Sequence, residues 1–497
     1  VSHGPANAAS AQSVDDAMYA FEDAIEEQME AWQTPGLAVA VVKDGKVAYA
    51  KGFGYRDRGE ALEVTDETLF PIGSCTKAFT GTAMALLADE GKLDLDAPVA
   101  GYIPWFRMAD DYAAQNVTAR DMLLHRTGLP RYDSFLALRP DLTRKELVEA
   151  LRYLAPDKPF RYAFAYDNVM YAAAGFLLEQ VSKKSWEDFV RERLFAPLGI
   201  EAAFFSVNDL AKERNAAKPY MVVSGKLTEV PYANLDAVGP AGSIISNVRE
   251  MAKWIIFNLD KGKAGDEQIV SEKAMAGVHA PQIMTGKPGS PEMPFSAYGL
   301  GWGVTDYRGH MFLTHDGETD GFHASISFMP DDGLGVVILT NRSGGDLPGC
   351  AGLSIYDRLL GLDPLPLCDK ALADSQTKAK ADEAKAEARA ESLPTGTSPS
   401  HPLADYAGKY KNPAYGVLTV TAEGDALSAA LGPEQTPLVH AMYDIFATPE
   451  GGLDAWTLRF TMNDAGAIDK ALIPLEPGLP DISFKRMAET KEKKKKK

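Results

Sequence analysis

Apolar residues recur at helical spacing from Asp15 to Trp32, with Ala17, Tyr19, Phe21, Ile25 and Met29 marking the pattern. The apolar run Leu37–Val42 follows, then Lys43-Asp44-Gly45-Lys46 and Val47–Ala50. This pattern predicts a β-hairpin closed on an Asp-Gly turn. From Thr76 to about Asn258 the periodicity is mostly helical, broken by loops. Strand patterns return over Gly299–Tyr307, Met311–Thr314, His323–Met329 and Gly335–Thr340, and a helical pattern closes the segment at Leu353–Leu360. Strands at both ends with helices between them predict an α+β fold. One antiparallel sheet is assembled from both ends, flanked by terminal helices on one face and by a helical subdomain on the other. A cleft between sheet and helical region is the usual place for a site.

Beyond this unit, Asp369–Glu391 is Ala-rich and charged, which predicts a solvated helical spacer. The Pro/Ser-rich stretch Ser392–Pro402 breaks it. Short strands then dominate up to Met487: Tyr415–Val420, Ala426–Leu431, Asp444–Ala447, Ala455–Thr461 and Ala471–Pro474. They suit a small all-β barrel or sandwich. The expected organisation is a first domain over 15–368, a spacer and linker over 369–402, an all-β domain over 403–487 and a disordered basic tail over 488–497.

The 497 residues are 45% hydrophobic and carry a net charge of −18, enough apolar matter for two cores and the wrong sign for a nucleic-acid partner. No apolar run approaches the length of a membrane span. The start at Val1, with small and polar residues through Ser13, fits a chain whose signal peptide has been removed, so a periplasmic or secreted protein is expected. Three cysteines allow at most one bridge, Cys350 to Cys368, and Cys75 reads as a small packing residue. We expect no cofactor or metal.

The chemistry concentrates at Ser74-Cys75-Thr76-Lys77, where an extended segment gives way to an apolar-periodic run. A helix starting at Ser74 stacks the serine and lysine on one face, a turn apart. A desolvated lysine amine there stays neutral enough to take the serine proton. The same spacing at Ser375–Lys378 lies in the charged spacer, without pocket-forming context. Tyr166-Asp167-Asn168 opens a helical run. A phenol bonded to a lysine ammonium serves as general base and then acid, and an asparagine amide both donates to and accepts from a substrate amide. Tyr232-Ala233-Asn234 and Tyr410-Lys411-Asn412 repeat the pattern. His315-Asp316-Gly317 is read as ending a late strand, with Gly317 letting substrate approach the backbone. The N–H groups of Ser74 and Glu318 then form an oxyanion hole. His125, His279, His310 and His323 are read as structural.

Ser74-x-x-Lys77, Tyr166-x-Asn168 and His315-x-Gly317, in this order, resemble the class C β-lactamase-like serine hydrolase family, which includes penicillin-binding-protein-like peptidases, amidases and esterases. Leu123–Pro130, Gly239–Ile244 and Asp316–His323 resemble it too, and the match spans roughly Phe21 to Leu360. Leu403 to Met487 looks like the small lipocalin-like barrel that follows certain peptidases of the family. The resemblance implies a β-lactamase/transpeptidase-like fold, Ser74 as acylated nucleophile, Lys77 and Tyr166 sharing the proton work, and Asn168 holding a substrate amide. Class C β-lactamases carry Lys-Thr-Gly where this chain has His315-Asp316-Gly317, which weakens β-lactam hydrolysis and favours a small peptide, amide or ester substrate. Asp167 reads as a solvated turn aspartate, the alternative being attraction of a substrate amine. The expected function is acyl-enzyme hydrolysis of short or D-amino-acid-containing peptides. The rivals are a carboxylesterase or weak β-lactamase with the same machinery, and a non-catalytic penicillin sensor or structural protein. The barrel would shape substrate access, hold a homo-oligomer together, or bind something of its own.

Overall fold

The structure, a computed structural model, describes residues 13–210, 212–391, 394, 396–448 and 456–488. The polar stretch before Ser13, residues Ser392, Leu393 and Thr395 of the linker, Ala455 of an expected strand and the lysine tail lie outside the described residues.

The apolar run Gly36–Lys43 becomes a central strand. It pairs with Lys46–Asp57 on one side and with Leu334–Thr340 on the other, in register from Leu37↔Thr340 to Lys43↔Leu334. That pairing joins the two ends of the first domain into one nine-stranded antiparallel sheet, continued through Phe322–Met329, His310–Thr319 and Gly303–Tyr307. Burial on both faces explains why Gly36–Lys43 and Leu334–Thr340 read as nearly unbroken apolar runs. Leu37, Val39, Val41 and Ile338 face the terminal helices Val14–Ala31 and Leu347–Leu359. Ala38, Ala40, Val337 and Leu339 face the larger core with Phe79 and Trp254. One side chain in two thus belongs to each layer.

Two helices of the inner layer, Thr76–Asp89 and Asn168–Ser182, are buried nearly all round. They are central helices, and neither shows a strong amphipathic stripe. The outer layer is fastened to the spacer helix Leu367–Glu391 by a Cys350–Cys368 disulfide. The second Ser-x-x-Lys copy lies on that spacer, where Lys378 pairs with Asp382 in solvent.

The C-terminal unit is a closed eight-stranded barrel from Gly408–Asn412 to Ile482–Arg486. Its interior is filled by Tyr406, Tyr410, Phe446 and Phe460, packed edge to face. Three strands that the sequence pattern does not reveal complete it: Gly408–Asn412, Glu434–Met442 and Ile482–Arg486. Their polar and proline content hides them (Lys409, Lys411, Pro437, Lys485); their backbone hydrogen bonds close the cylinder.

The late strand nearest the predicted site also differs from expectation. His315-Asp316-Gly317 does not end it. The strand runs from His310 to Thr319, with Gly317 opposite Ala324 and Glu318 opposite His323, and turns only at Asp320-Gly321. Asp316 and Glu318 are outward residues of a continuous ladder, so their charge masks the strand signal.

Candidate active site

Ser74 sits on a 3₁₀ turn, Gly73–Cys75, and the α-helix proper starts at Thr76, two residues later than the sequence suggests. The tighter turn still superposes residues three apart. Lys77 Nζ is therefore 2.8 Å from Ser74 Oγ. The turn is made by Gly73 at φ +51, a conformation glycine adopts without strain. Cys75 points away and its thiol donates to the His315 carbonyl oxygen at 3.0 Å, as its packing role requires.

Lys77 is fully buried, with Nζ also 2.8 Å from Asn168 Oδ1 and 2.8 Å from the Ala241 carbonyl oxygen. Burial, followed by the nearby Arg131 charge, holds its pKa well below the ordinary lysine value; the carboxylates Asp133 and Asp167 oppose this weakly. A neutral amine has two N–H bonds and one lone pair. Both carbonyl-type partners can only accept, so in the neutral form they take the two N–H bonds and the lone pair faces the Ser74 hydroxyl, whereas the ammonium donates to all three oxygens.

Tyr166 comes from the loop before the Asn168–Ser182 helix, and its hydroxyl faces that of Ser74. Burial pushes the phenol pKa up, against the bond to Ser74 and the Arg131 charge. Lys77 Nζ stands 4.8 Å from the centre of the Tyr166 ring, so the amine meets the ring face. Burial therefore disfavours the charged form of both groups, the Lys77 ammonium and the Tyr166 phenolate alike. The two other Tyr-x-Asn copies lie elsewhere, Tyr232 donating to Ala217 O and Tyr410 inside the barrel.

Asn168 is held at both ends, its Oδ1 by Lys77 and its Nδ2 by Asp133 Oδ1 at 3.0 Å. Asp167 is fully buried and caps the helix, accepting from the Val169 and Met170 N–H groups. Burial drives its carboxyl well above the usual range. It is therefore neither a solvated turn residue nor a substrate-facing charge, because a helix N-cap in a packed core has no access to either.

His315 is buried and points its ring to Tyr298. Nδ1 lies 2.7 Å from the Asp316 carbonyl oxygen, an acceptor, so Nδ1 carries the proton and Nε2 accepts from the Tyr298 hydroxyl at 2.9 Å. Burial, and Lys77 in its charged form, lower its pKa to about 3, so the ring is neutral at any working pH. Gly317 also has a different reason from the one expected. A Cβ there would lie 1.9 Å from Ile72 O and 2.8 Å from Ser74 N, so the turn that carries Ser74 demands the missing side chain. A Cβ on Gly73 would likewise lie 2.8 Å from Glu318 N, so the Ser74 and Glu318 amides border one another. The Glu318 side chain turns away and accepts from Gly344 N.

Four participants are not evident from sequence. The Ala241 carbonyl lies within Gly239–Ile244, yet a backbone acceptor carries no residue-type signal. His125 stacks on Tyr166 at 4.3 Å and accepts the Asp167 N–H at Nδ1. Arg131 lies 5.0 Å from the Tyr166 ring centre and pairs with Asp133. The last two, Arg131 and Asp133, follow Leu123–Pro130 directly, and their only signal is a charged pair, Arg131-Tyr132-Asp133.

Comparison with known proteins gives the family. A family model described as Beta-lactamase matches residues 21–353, and one described as a domain of unknown function (DUF3471) matches residues 393–486. The chain is 31% identical over 424 residues to an unguisins hydrolase of Aspergillus campestris, covering 80% of this chain and 77% of the relative. It is 28% identical over 309 residues to penicillin-binding protein 4 of Amycolatopsis lactamdurans, covering 62% and 81%. Among solved structures, the octameric penicillin-binding protein homologue from Pyrococcus abyssi superposes with a TM-score of 0.61 at 25% identity, covering 94% of this chain and all of that one. The chain belongs to the beta-lactamase family of serine hydrolases and penicillin-binding proteins.

Proposed function

We propose that this chain hydrolyses peptide or amide bonds of short peptides, including those with D-residues, through an acyl-enzyme on Ser74. The observation that carries the reading is the buried Lys77 amine, with both N–H bonds engaged and 2.8 Å from the Ser74 hydroxyl. Ser74 Oγ attacks the substrate carbonyl carbon as its proton passes to Lys77. The oxyanion is held by the Ser74 and Glu318 N–H groups, a contact type worth about 3 kcal/mol per donor. The C–N bond breaks as Tyr166 protonates the leaving amine, leaving a phenolate beside the Lys77 ammonium. That phenolate takes a proton from water, the hydroxide attacks the acyl carbon, and Lys77 returns its proton to Ser74 as the acid leaves. Both groups end neutral, as they began. Asn168, fixed by Lys77 and Asp133, has one amide hydrogen left to orient the substrate amide.

His315 supports amide over β-lactam substrates, since a neutral buried ring offers no fixed charge to a β-lactam carboxylate. The Cys350–Cys368 bridge supports an oxidising, periplasmic or secreted setting. The octameric relative supports a homo-oligomer. The test is a peptide-library cleavage profile of wild type against Ser74→Ala, with intact mass after a fluorophosphonate probe. Cleavage and labelling that vanish in S74A are expected. An esterase shows a higher kcat/KM on p-nitrophenyl butyrate than on any peptide amide, a penicillin sensor a stable penicilloyl adduct without turnover, and a scaffold no adduct at all.

A further inference from the structure

The short helix Asp133–Leu138 has no cap of its own. Its N-cap residue, Tyr132, is left-handed (φ 53) and makes no capping hydrogen bond. A six-residue helix is too short to persist unaided. The missing acceptor arrives from the other domain, 341 residues away: Glu476 Oε1 accepts the N–H of Phe135, the third helical residue, at 2.8 Å. The same oxygen accepts the Tyr415 hydroxyl at 2.7 Å, and the Tyr415 ring meets Phe135 edge-on at 5.4 Å. Glu476 is only 4% exposed. Ser134 Oγ donates to Leu475 O and Arg139 to Ala414 O, each at 2.6 Å. Every one of these barrel contacts falls within Ser134–Arg139, directly behind the two residues that reach the catalytic cluster. Asp133 holds Asn168, and Arg131 faces the Tyr166 ring.

We infer that the C-terminal barrel is a working part of the active site, with Glu476 as a positioning residue that caps the Asp133–Leu138 helix and thereby sets Asp133 against Asn168 and Arg131 against Tyr166. The inference rests on the proposed role of Lys77 and Ser74. It gives the barrel a defined role, since the barrel completes a helix that the first domain leaves unfinished at the lip of its own site. Without that cap the segment is free to withdraw, Asn168 loses its second anchor, and water reaches Lys77.

The groups facing Lys77 are Cys75, His125, Arg131, Asp133, Tyr166, Asp167, Tyr171 and His315. Of these only Arg131 and Asp133 move with the segment. Of the two, Arg131 is the stronger influence and lowers the Lys77 pKa, so its withdrawal, together with hydration, raises the pH at which Lys77 loses its proton.

The experiment measures the second-order rate of Ser74 labelling by a fluorophosphonate probe, from pH 5 to 10, on the full-length chain. Glu476→Ala is expected to slow labelling at least about tenfold at pH 7 and to move the acid limb to higher pH. Glu476→Gln keeps an acceptor for Phe135 and Tyr415, and is expected to recover the rate to within about threefold of wild type with the wild-type limb. Wild-type rate and limb in E476A overturn the inference, as does failure of E476Q to recover. Should E476A not fold, Tyr415→Phe decides: it keeps the ring but frees Glu476 from one anchor. A two- to fivefold loss with a raised limb supports the inference, and an unchanged profile overturns it. Absent labelling of the wild type, by contrast, overturns the hydrolase reading itself.

Discussion

A Cβ atom on Gly317 would lie 1.9 Å from the carbonyl oxygen of Ile72. The strand His310–Thr319 and the turn Gly73–Cys75 are therefore in backbone contact, and the position of Ser74 is set by a sheet strand far away in sequence. Gly317→Ala is expected to force the two apart. Overpacking of this kind costs about 1–3 kcal/mol. Because the Ser74 amide lies on the same contact, labelling of Ser74 should fall by about a hundredfold, the scale of a lost oxyanion donor. Chemical denaturation and probe labelling read the two effects separately. A G317A protein that labels at the wild-type rate would rule out a strand-positioned serine.

Lys77 gives stability a pH signature. In the native chain its pKa is well below 10.5, while in the unfolded chain it is ordinary. Between those values the unfolded state binds the extra proton, so stability rises with pH across that window and is flat beyond either end. The slope has a ceiling of about 1.4 kcal/mol per pH unit. Lys77→Met is expected to abolish Ser74 labelling and to remove this slope. Urea unfolding of wild type and K77M at pH 7, 8 and 9 checks it. Parallel stability curves for the two proteins would mean that the amine is charged in the native state.

Asp167 carries the opposite sign. Its native pKa is raised well above 3.8, so the folded chain holds a proton that the unfolded chain releases, and stability falls as pH rises from 3.8 to the native value. Asp167→Asn keeps an acceptor for Val169 and Met170 and should flatten this dependence. Asp167→Ala also loses the cap, at about 1 kcal/mol. Neither change should alter KM selectively for substrates with a free amine, because the carboxyl is sealed in the core. A selective rise in that KM would restore a substrate-facing aspartate.

The disulfide closes a loop of 18 residues on the outer face of the sheet, away from Ser74. A loop of that size predicts about 3 kcal/mol of stabilisation. Cys368→Ser is expected to lower Tm by several degrees while leaving the labelling rate at 25 °C unchanged. A matching loss of labelling would place the bridge within the site's support.

Much of this is legible before folding. The alternation of helix, hairpin, helical middle and late strands gives the α+β layout, since strands buried on both faces must read as apolar runs. Ser74, Lys77, Tyr166, Asn168 and His315 stand out by spacing and order, and the structure gathers them. The misreadings share one cause. Asp167 and the strand segment His315-Asp316-Gly317 take their surroundings from remote segments, so local sequence assigns the one to solvent and the other to a strand end. The barrel strand Glu434–Met442 is hidden by Pro437, although its neighbours pair with it on both sides.

The amino-acid order by itself determined which residues alternate and that one serine and one lysine lie a turn apart, because these follow from backbone geometry over a few residues. Only the tertiary structure decided their charge states and partners. Burial and the nearby Arg131 charge lower the Lys77 pKa, and the bond from the Phe135 N–H to Glu476 joins segments 341 residues apart. Desolvation and long-range contact are properties of the assembled volume, and no stretch of chain contains them.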